Sequence, residues 1–383
     1  MVADLEKWRA QMPITQRFAY FDHAAVSPLP APTHAAIQQW NNEAAEFGDT
    51  IWPEWAARAE RVRTLAAALL AADPTEIALV QNTTSGISLV AEGLPWQDGD
   101  NVVVLANEFP SNFYPWKNLA SRGVETRLVS VDDGRVDLDR VAAACDSRTR
   151  IVTVSWVGYA TGYRLDVAKI TELAHQRGAL LFLDAIQGLG VFPLNLSKIP
   201  VDFLAADGHK WLLGPEGAGV LFIRSEHLHR LRPLGVGWNS VVHRYDFGRL
   251  EMDLRAEAGR YEGGSQNMAG MIGLASSLDF LLQAGAGPDH SAVGQRVLAN
   301  TDAVVEALSA AGAKIHSCRE GECRSGIVAF EMPGSDPQLV RNQCLAAGVV
   351  LSCRGGWLRV SPHFYNSDED IQRLMAVLTN GTT

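Results

Sequence analysis

The sequence predicts an α/β architecture: a mostly parallel sheet in a large unit, followed by a smaller C-terminal α+β unit. Three observations predict it. Five apolar runs, at residues 77–80, 102–105, 151–154, 179–183 and 219–223, are bounded by polar or glycine-rich turns. The stretches between them are amphipathic with helical spacing. The pattern then changes over the last third of the chain. Apolar runs without alternation, separated by helices, read as strands buried on both faces of a parallel sheet.

Taken in order, residues 54–71 place Trp55, Val62, Leu65 and Leu69 on one helical stripe. The strand Ile77-Ala78-Leu79-Val80 follows, then Val102-Val103-Val104-Leu105 and Ile151-Val152-Thr153-Val154. A helix over 167–177 leads into the strand at 179–183, a short apolar strand at 203–205 and the run at 219–223. Beyond these, helices are predicted over 268–284 and 291–311, separated by the breaker Gly285-Ala286-Gly287-Pro288. Short strands near 327–331 and 349–352 and a closing helix at 367–378 complete the chain. The expected division is a large unit at residues 17–260 and a small one at 261–383, joined by residues 1–16.

Composition narrows the function class. Thirty-three basic residues against 43 acidic give a net charge of −10, which argues against nucleic acid and acidic membrane surfaces as partners. A hydrophobic content of 47% across 383 residues fills a sizeable core and excludes disorder and small disulfide scaffolds. The five cysteines, Cys145, Cys318, Cys323, Cys344 and Cys353, form no CxxC pair, and five reduced thiols in a cytosol are expected. The opening residues Met1 to Trp8 mix charges without an apolar run, which predicts no signal peptide and a cytoplasmic protein. The longest apolar stretch, 179–196, is interrupted by Asp184, Gln187 and Pro193 and cannot span a membrane.

Several motifs fail on inspection. Gly188-Leu189-Gly190-Val191-Phe192-Pro193 starts like a dinucleotide fingerprint but carries proline where the third glycine belongs. Gly214-Pro215-Glu216-Gly217-Ala218-Gly219 lacks the lysine of a phosphate loop. No His-Glu-x-x-His or Gly-x-Ser-x-Gly is present, and the pair His227/His229 reads as a solvated surface.

What remains is a set of groups at strand ends. Asp184 closes an apolar strand with Gln187 three residues later, at the sheet edge where such folds bind ligands. Lys210, in Ala206-Asp207-Gly208-His209-Lys210-Trp211, follows another apolar strand and suits a desolvated amine of lowered pKa. Asn82-Thr83-Thr84-Ser85-Gly86 offers hydroxyls and amides at a helix start, a ready anion site. An amine nucleophile, a carboxylate and a phosphate cradle on one sheet are the parts that pyridoxal 5'-phosphate requires.

With those residues in place, the chain resembles the class V aminotransferase family of fold-type I pyridoxal-phosphate enzymes. That family includes cysteine desulfurases, selenocysteine lyases, kynureninases and isopenicillin N epimerase-like proteins. The resemblance runs from Tyr20-Phe21-Asp22-His23-Ala24-Ala25 to Ser367-Asp368-Glu369-Asp370-Ile371. Its most specific part is Leu181-Phe182-Leu183-Asp184-Ala185-Ile186-Gln187-Gly188 together with Gly208-His209-Lys210-Trp211-Leu212-Leu213-Gly214-Pro215.

The resemblance implies roles residue by residue. Lys210 matches the lysine that carries the cofactor, Asp184 the partner of the pyridine nitrogen, and Gln187 the neighbour of the phenolic oxygen. Thr83, Thr84 and His209 match the phosphate site, and Phe109, in Glu108-Phe109-Pro110-Ser111-Asn112, the ring that stacks on the cofactor. Ser265 in Glu262-Gly263-Gly264-Ser265-Gln266-Asn267 matches a hydroxyl that crosses to a partner's phosphate, which implies a homodimer with shared sites. Arg359 matches the arginine that grips the substrate α-carboxylate; Arg354 and His23 are further substrate-binding candidates.

Two departures shape the expectation. Asp207 stands where desulfurases often carry a phosphate-binding serine, and a carboxylate there would repel phosphate unless turned away or bridged. The long loop bearing a nucleophilic cysteine shrinks to Ser352-Cys353-Arg354-Gly355-Gly356-Trp357, and Cys353 reads as a buried thiol. The expected activity is therefore epimerase- or β-lyase-like at Cα/Cβ of an amino acid. The alternatives are a cysteine desulfurase or selenocysteine lyase using Cys353, a class V aminotransferase and, remotely, a nicotinamide-dependent oxidoreductase.

Overall fold

The computed structural model describes residues 4–380, so the first three of the opening residues read above for a signal peptide lie outside it. A seven-stranded sheet forms its centre, in the order Ile77–Val80, Gly219–Ile223, Phe203–Asp207, Leu180–Asp184, Thr149–Ser155, Asn101–Leu105 and Glu125–Val129. Only Gly219–Ile223 runs against its neighbours; the other pairings are parallel. This is the fold-type I arrangement expected from the sequence.

The unbroken apolar runs are explained by the pleat. Leu181 and Leu183 face a core shared with the helices Trp52–Leu70, Val167–Gln176 and Met268–Gln283. Phe182 between them faces a second core with Ile87 and Val90 of the helix Thr83–Gly93. Both faces are dry, so Leu181, Phe182 and Leu183 are all apolar, and the first polar side chain, Asp184, comes only where the strand ends at the sheet edge. The helix Thr83–Gly93 lies so close to the sheet that a Cβ on Gly86 would sit 2.9 Å from the Ala205 Cβ. The helix Met268–Gln283 packs on Ala31–Phe47 and Trp52–Leu70, on the flank of the large sheet.

Glu125–Val129 was not anticipated as a strand. It is the edge strand, its pattern Glu-Thr-Arg-Leu-Val is polar, and Leu128 stays exposed. A second, four-stranded antiparallel sheet orders Ser352–Arg354, Trp357–Val360, Val328–Glu331 and Lys314–Ile315. The run expected at 349–352 divides. Val349–Val350 pairs in parallel with Ala19–Tyr20 near the chain start, and Ser352 begins the strand of the small sheet.

Two expectations are corrected. Cys318 and Cys323 are joined by a disulfide, with their Cα atoms 6.0 Å apart, because the chain turns back through Gly321–Cys323. Cys145, Cys344 and Cys353 remain thiols. His227 is not solvated: it is buried, and its Nε2 lies 2.7 Å from an oxygen of Asp202, which also meets His175 Nε2 at 2.8 Å. His229 alone of that pair is exposed. Among the described residues, no helix is long and apolar enough to cross a membrane.

Candidate active site

Parallel strands bring their carboxyl ends to one edge, and the predicted groups gather there in a crevice of about 390 Å³. Its lining includes Thr83, Thr84, Phe109, Asp184, Gln187, His209, Lys210, Arg354 and Arg359. Nine of the eleven residues singled out from the sequence therefore meet in one place.

Lys210 is 9% exposed. Its backbone carbonyl accepts from the Leu213 amide at 3.0 Å and from the Ser27 hydroxyl. Leu213 closes this turn in the left-handed region (φ +55°), a strained conformation for leucine held by burial and by the Ser277 hydroxyl on its carbonyl. Among the described residues no acceptor lies within hydrogen-bonding distance of Lys210 Nζ. Burial brings the amine down to about 8; Asp184 and Asp207 oppose that change, while Arg359 and Arg354 add to it.

Asp184 is buried, with its Oδ1 accepting from the Ile186 amide at 3.1 Å. Burial pushes its carboxyl up to about 6, against the pull of that amide and of the Lys210 charge. A cation placed beside it would hold the ionised form. Gln187 is committed at both ends, Nε2 donating to the Ala24 carbonyl at 3.0 Å and Oε1 accepting from Trp211 Nε1 at 2.7 Å.

The helix Thr83–Gly93 is capped by Asn82, whose Oδ1 accepts from the Ser85 amide at 2.8 Å. Its first residues face the crevice. The Thr83 hydroxyl accepts from the Asp207 amide at 3.0 Å, and the Thr84 hydroxyl donates to Ser111 Oγ at 2.8 Å. His209 Nδ1 lies 3.0 Å from Asp207 Oδ2 without hydrogen-bond alignment, and Asp207 Oδ1 is buried with no partner. The Asp207 carboxylate thus sits against the His209 ring.

Phe109 is 41% exposed at the crevice wall. Lys210 Nζ lies 5.5 Å from its ring centroid, and Tyr159 meets it edge-on at 5.3 Å. Arg359 is buried and fixed from three sides: Nη1 donates to the Tyr159 carbonyl at 2.7 Å, Nη2 to Asp22 at 3.2 Å, and Nε to Ser352 Oγ at 3.2 Å.

Two predicted residues lie elsewhere. His23 is completely buried, with ring nitrogens bonded to the Ser361 carbonyl (2.8 Å) and the Tyr365 hydroxyl (2.6 Å). Burial drives it down to about 3, so it is a neutral packing residue rather than a substrate contact. Its chain neighbours Ala24, Ala25 and Val26 line the crevice instead. Ser265 sits outside the crevice, in a separate hollow with Trp52, Trp238 and Tyr245. Its segment is anchored by Glu262, which is buried against Arg63 (2.6 Å) and the Leu79 amide (2.8 Å).

Glu108 was not anticipated from the sequence. It is half-buried, and accepts from the Ser155 amide at 2.6 Å and from the Ser155 hydroxyl. Burial pushes it up to about 7 despite those bonds, with the Asp184 charge adding to the effect. Holding Glu108 fixes the loop that presents Phe109. Asp22 and Tyr159, which set Arg359, were also unanticipated.

An amine without an acceptor, a buried carboxylate with room beside it and hydroxyls at a helix start fit pyridoxal 5'-phosphate. The fold and the site define a pyridoxal-phosphate enzyme. The aminotransferase class-V family matches residues 19–374. A probable cysteine desulfurase of Methanothermobacter thermautotrophicus is 32% identical over 96% of each chain, and the isopenicillin N epimerase of Streptomyces clavuligerus 29% over 98% of each. The apo structure of a cysteine desulfurase from Thermococcus onnurineus NA1 superposes with a TM-score of 0.87 at 26% identity, covering 98% of this chain and 97% of that one. The chain belongs to the aminotransferase class-V family. The Gly188 segment, considered above for a dinucleotide, serves packing: a Cβ on Gly188 would lie 2.5 Å from the Trp156 ring.

Proposed function

We propose that this enzyme breaks bonds at Cα and Cβ of an amino acid as a β-lyase or epimerase, in a homodimer with shared sites. One observation carries the choice against a persulfide-forming desulfurase. Cys353 alternates with Ser352 and Arg354 along its strand and faces away from the crevice, its thiol donating to the Pro337 carbonyl at 3.2 Å. Burial raises that thiol above its ordinary value, the opposite of what a nucleophile needs.

When bound, pyridoxal phosphate supplies an electron sink that makes the Cα proton of an attached amino acid acidic. The chain's residues do the rest. Lys210, partly unprotonated near neutrality, would hold the cofactor and is the group placed to take a proton from the substrate Cα. Asp184 would keep a proton on the pyridine nitrogen, Thr83, Thr84 and His209 would hold the phosphate, and Phe109 would cover one face and keep water from it. Arg359, held rigid, binds the substrate α-carboxylate.

The dimer reading is supported by Tyr245, Phe247, Leu250 and Met252, which stand exposed on the segment beside the Ser265 hollow. Each chain's Ser265 would serve its partner's phosphate. Sedimentation checks this directly: Leu250→Asp should shift the protein toward monomer and weaken cofactor retention.

The test of the activity is an absorbance screen of the holoenzyme against amino acids, with analysis of the products. A β-lyase yields ammonia, a keto acid and the expelled β-substituent, and an epimerase changes chirality alone. Amino transfer to a keto acid acceptor would assign the aminotransferase instead, and no spectral response to any amino acid would remove the proposal.

A further inference from the structure

We propose that Arg354 selects substrates bearing a second acid group, an oxyanion on the side chain of the amino acid. The inference rests on the reading above, in which Arg359 holds the α-carboxylate.

The small-sheet hairpin sets the geometry. Ser352 pairs with Arg359 and Arg354 with Trp357, so Ser352, Arg354, Trp357 and Arg359 share one face. That face meets the crevice, and both guanidinium side chains line it. The turn beyond is closed by Gly355 (φ +59°) and Gly356 (φ +85°), which fixes the backbone of Arg354 at the crevice wall.

The two arginines differ in what they are bound to. Arg359 is buried and engaged by Asp22, Ser352 and Tyr159. Arg354 is exposed and donates only to its neighbour's backbone, the Cys353 carbonyl, at 2.8 Å. Among the described residues it has no carboxylate partner. The Arg354 guanidinium disfavours the charge of Arg359, and both disfavour the charge of Lys210, so the three cations crowd one end of the crevice.

The phosphate does not account for Arg354, because its donors lie at the start of the helix Thr83–Gly93 with that helix's own dipole behind them. The α-carboxylate requires only one guanidinium. A cation is therefore left facing the space for the substrate side chain, and a carboxylate or sulfinate there would meet a forked donor at little reorganisation cost.

The test uses α-methylaspartate and α-methylasparagine, which have no Cα proton to lose, bound to the holoenzyme and followed by calorimetry and cofactor absorbance. The wild type should bind the acid about tenfold tighter than the amide, the scale of one charge-assisted bond. Arg354→Gln should bring that ratio to about one while leaving the amide's affinity unchanged, and Arg354→Lys should restore part of it. Equal affinities in the wild type would overturn the proposal while leaving the amino-acid reading intact. So would an Arg354→Gln variant that weakens acid and amide alike, since that places the α-carboxylate on Arg354. Failure of every amino acid to perturb the holoenzyme would remove both.

Discussion

The Thr83 hydroxyl accepts a hydrogen bond from the Asp207 backbone amide at 3.0 Å, joining the start of the helix Thr83–Gly93 to the strand that leads into Lys210. The contact crosses 124 positions of sequence and sets the spacing between the phosphate end and the amine end of the crevice. Thr83→Val should leave that buried amide unpaired, costing about 1–3 kcal/mol of stability. It should also lower cofactor affinity by about tenfold or more, read by absorbance titration of the apo-protein. Unchanged affinity would remove Thr83 from the phosphate site.

The Lys210 amine provides a pH test. Burial lowers it from 10.5 to about 8, and Asp184 is the strongest influence holding it up. Modification of Lys210 in the apo-protein by an amine-directed reagent should reach half its maximal rate near pH 8. Asp184→Asn removes the supporting charge and should move that midpoint to lower pH; a move upward would contradict the assigned geometry.

Acid stability should depend on Asp202. The carboxylate is buried and accepts from His227, His175 and the Leu181 amide, and those bonds hold it below its ordinary value despite burial. A depressed carboxyl contributes stability above its unfolded pKa and loses it as pH falls through the folded value. Asp202→Asn should therefore destabilise at neutral pH, by about 3 kcal/mol. It should also flatten the loss of Tm below about pH 4. An unaltered acid limb would show that other carboxylates govern it.

Cys353→Ser separates the two readings of the thiol. With the side chain directed at Pro337, the variant should retain turnover within about twofold, because no bond to substrate is lost. Persulfide on Cys353 after incubation with cysteine, or loss of turnover in the variant, would restore the desulfurase.

The fold and the meeting of Asp184 and Lys210 in one crevice were legible because local rules decide them. A carboxylate ending an apolar run, and a lysine just after another, must both emerge at the carboxyl edge of a parallel sheet. Glu108 and Asp22 were not legible, since each matters only through partners distant in sequence, Ser155 in one case and Arg359 in the other. His23 misled because adjacency along the chain does not fix direction: Ala24 lines the crevice while the His23 ring turns inward. The disulfide escaped for a related reason, as a spacing of five residues matches no common cysteine motif until the Gly321–Cys323 turn is known.

The parallel pairing of Ala19–Tyr20 with Val349–Val350 has a temporal consequence. The ion pair between Asp22 and Arg359 joins residues 337 positions apart, whereas the crevice groups Thr83, Asp184 and Lys210 all lie in the first 210 residues. During synthesis the ribosome delivers Thr83, Asp184 and Lys210 long before Arg359. The crevice is thus completed only when almost the whole polypeptide has emerged, and a product cut short before residue 359 would carry the groups of the large sheet without the guanidinium that faces them.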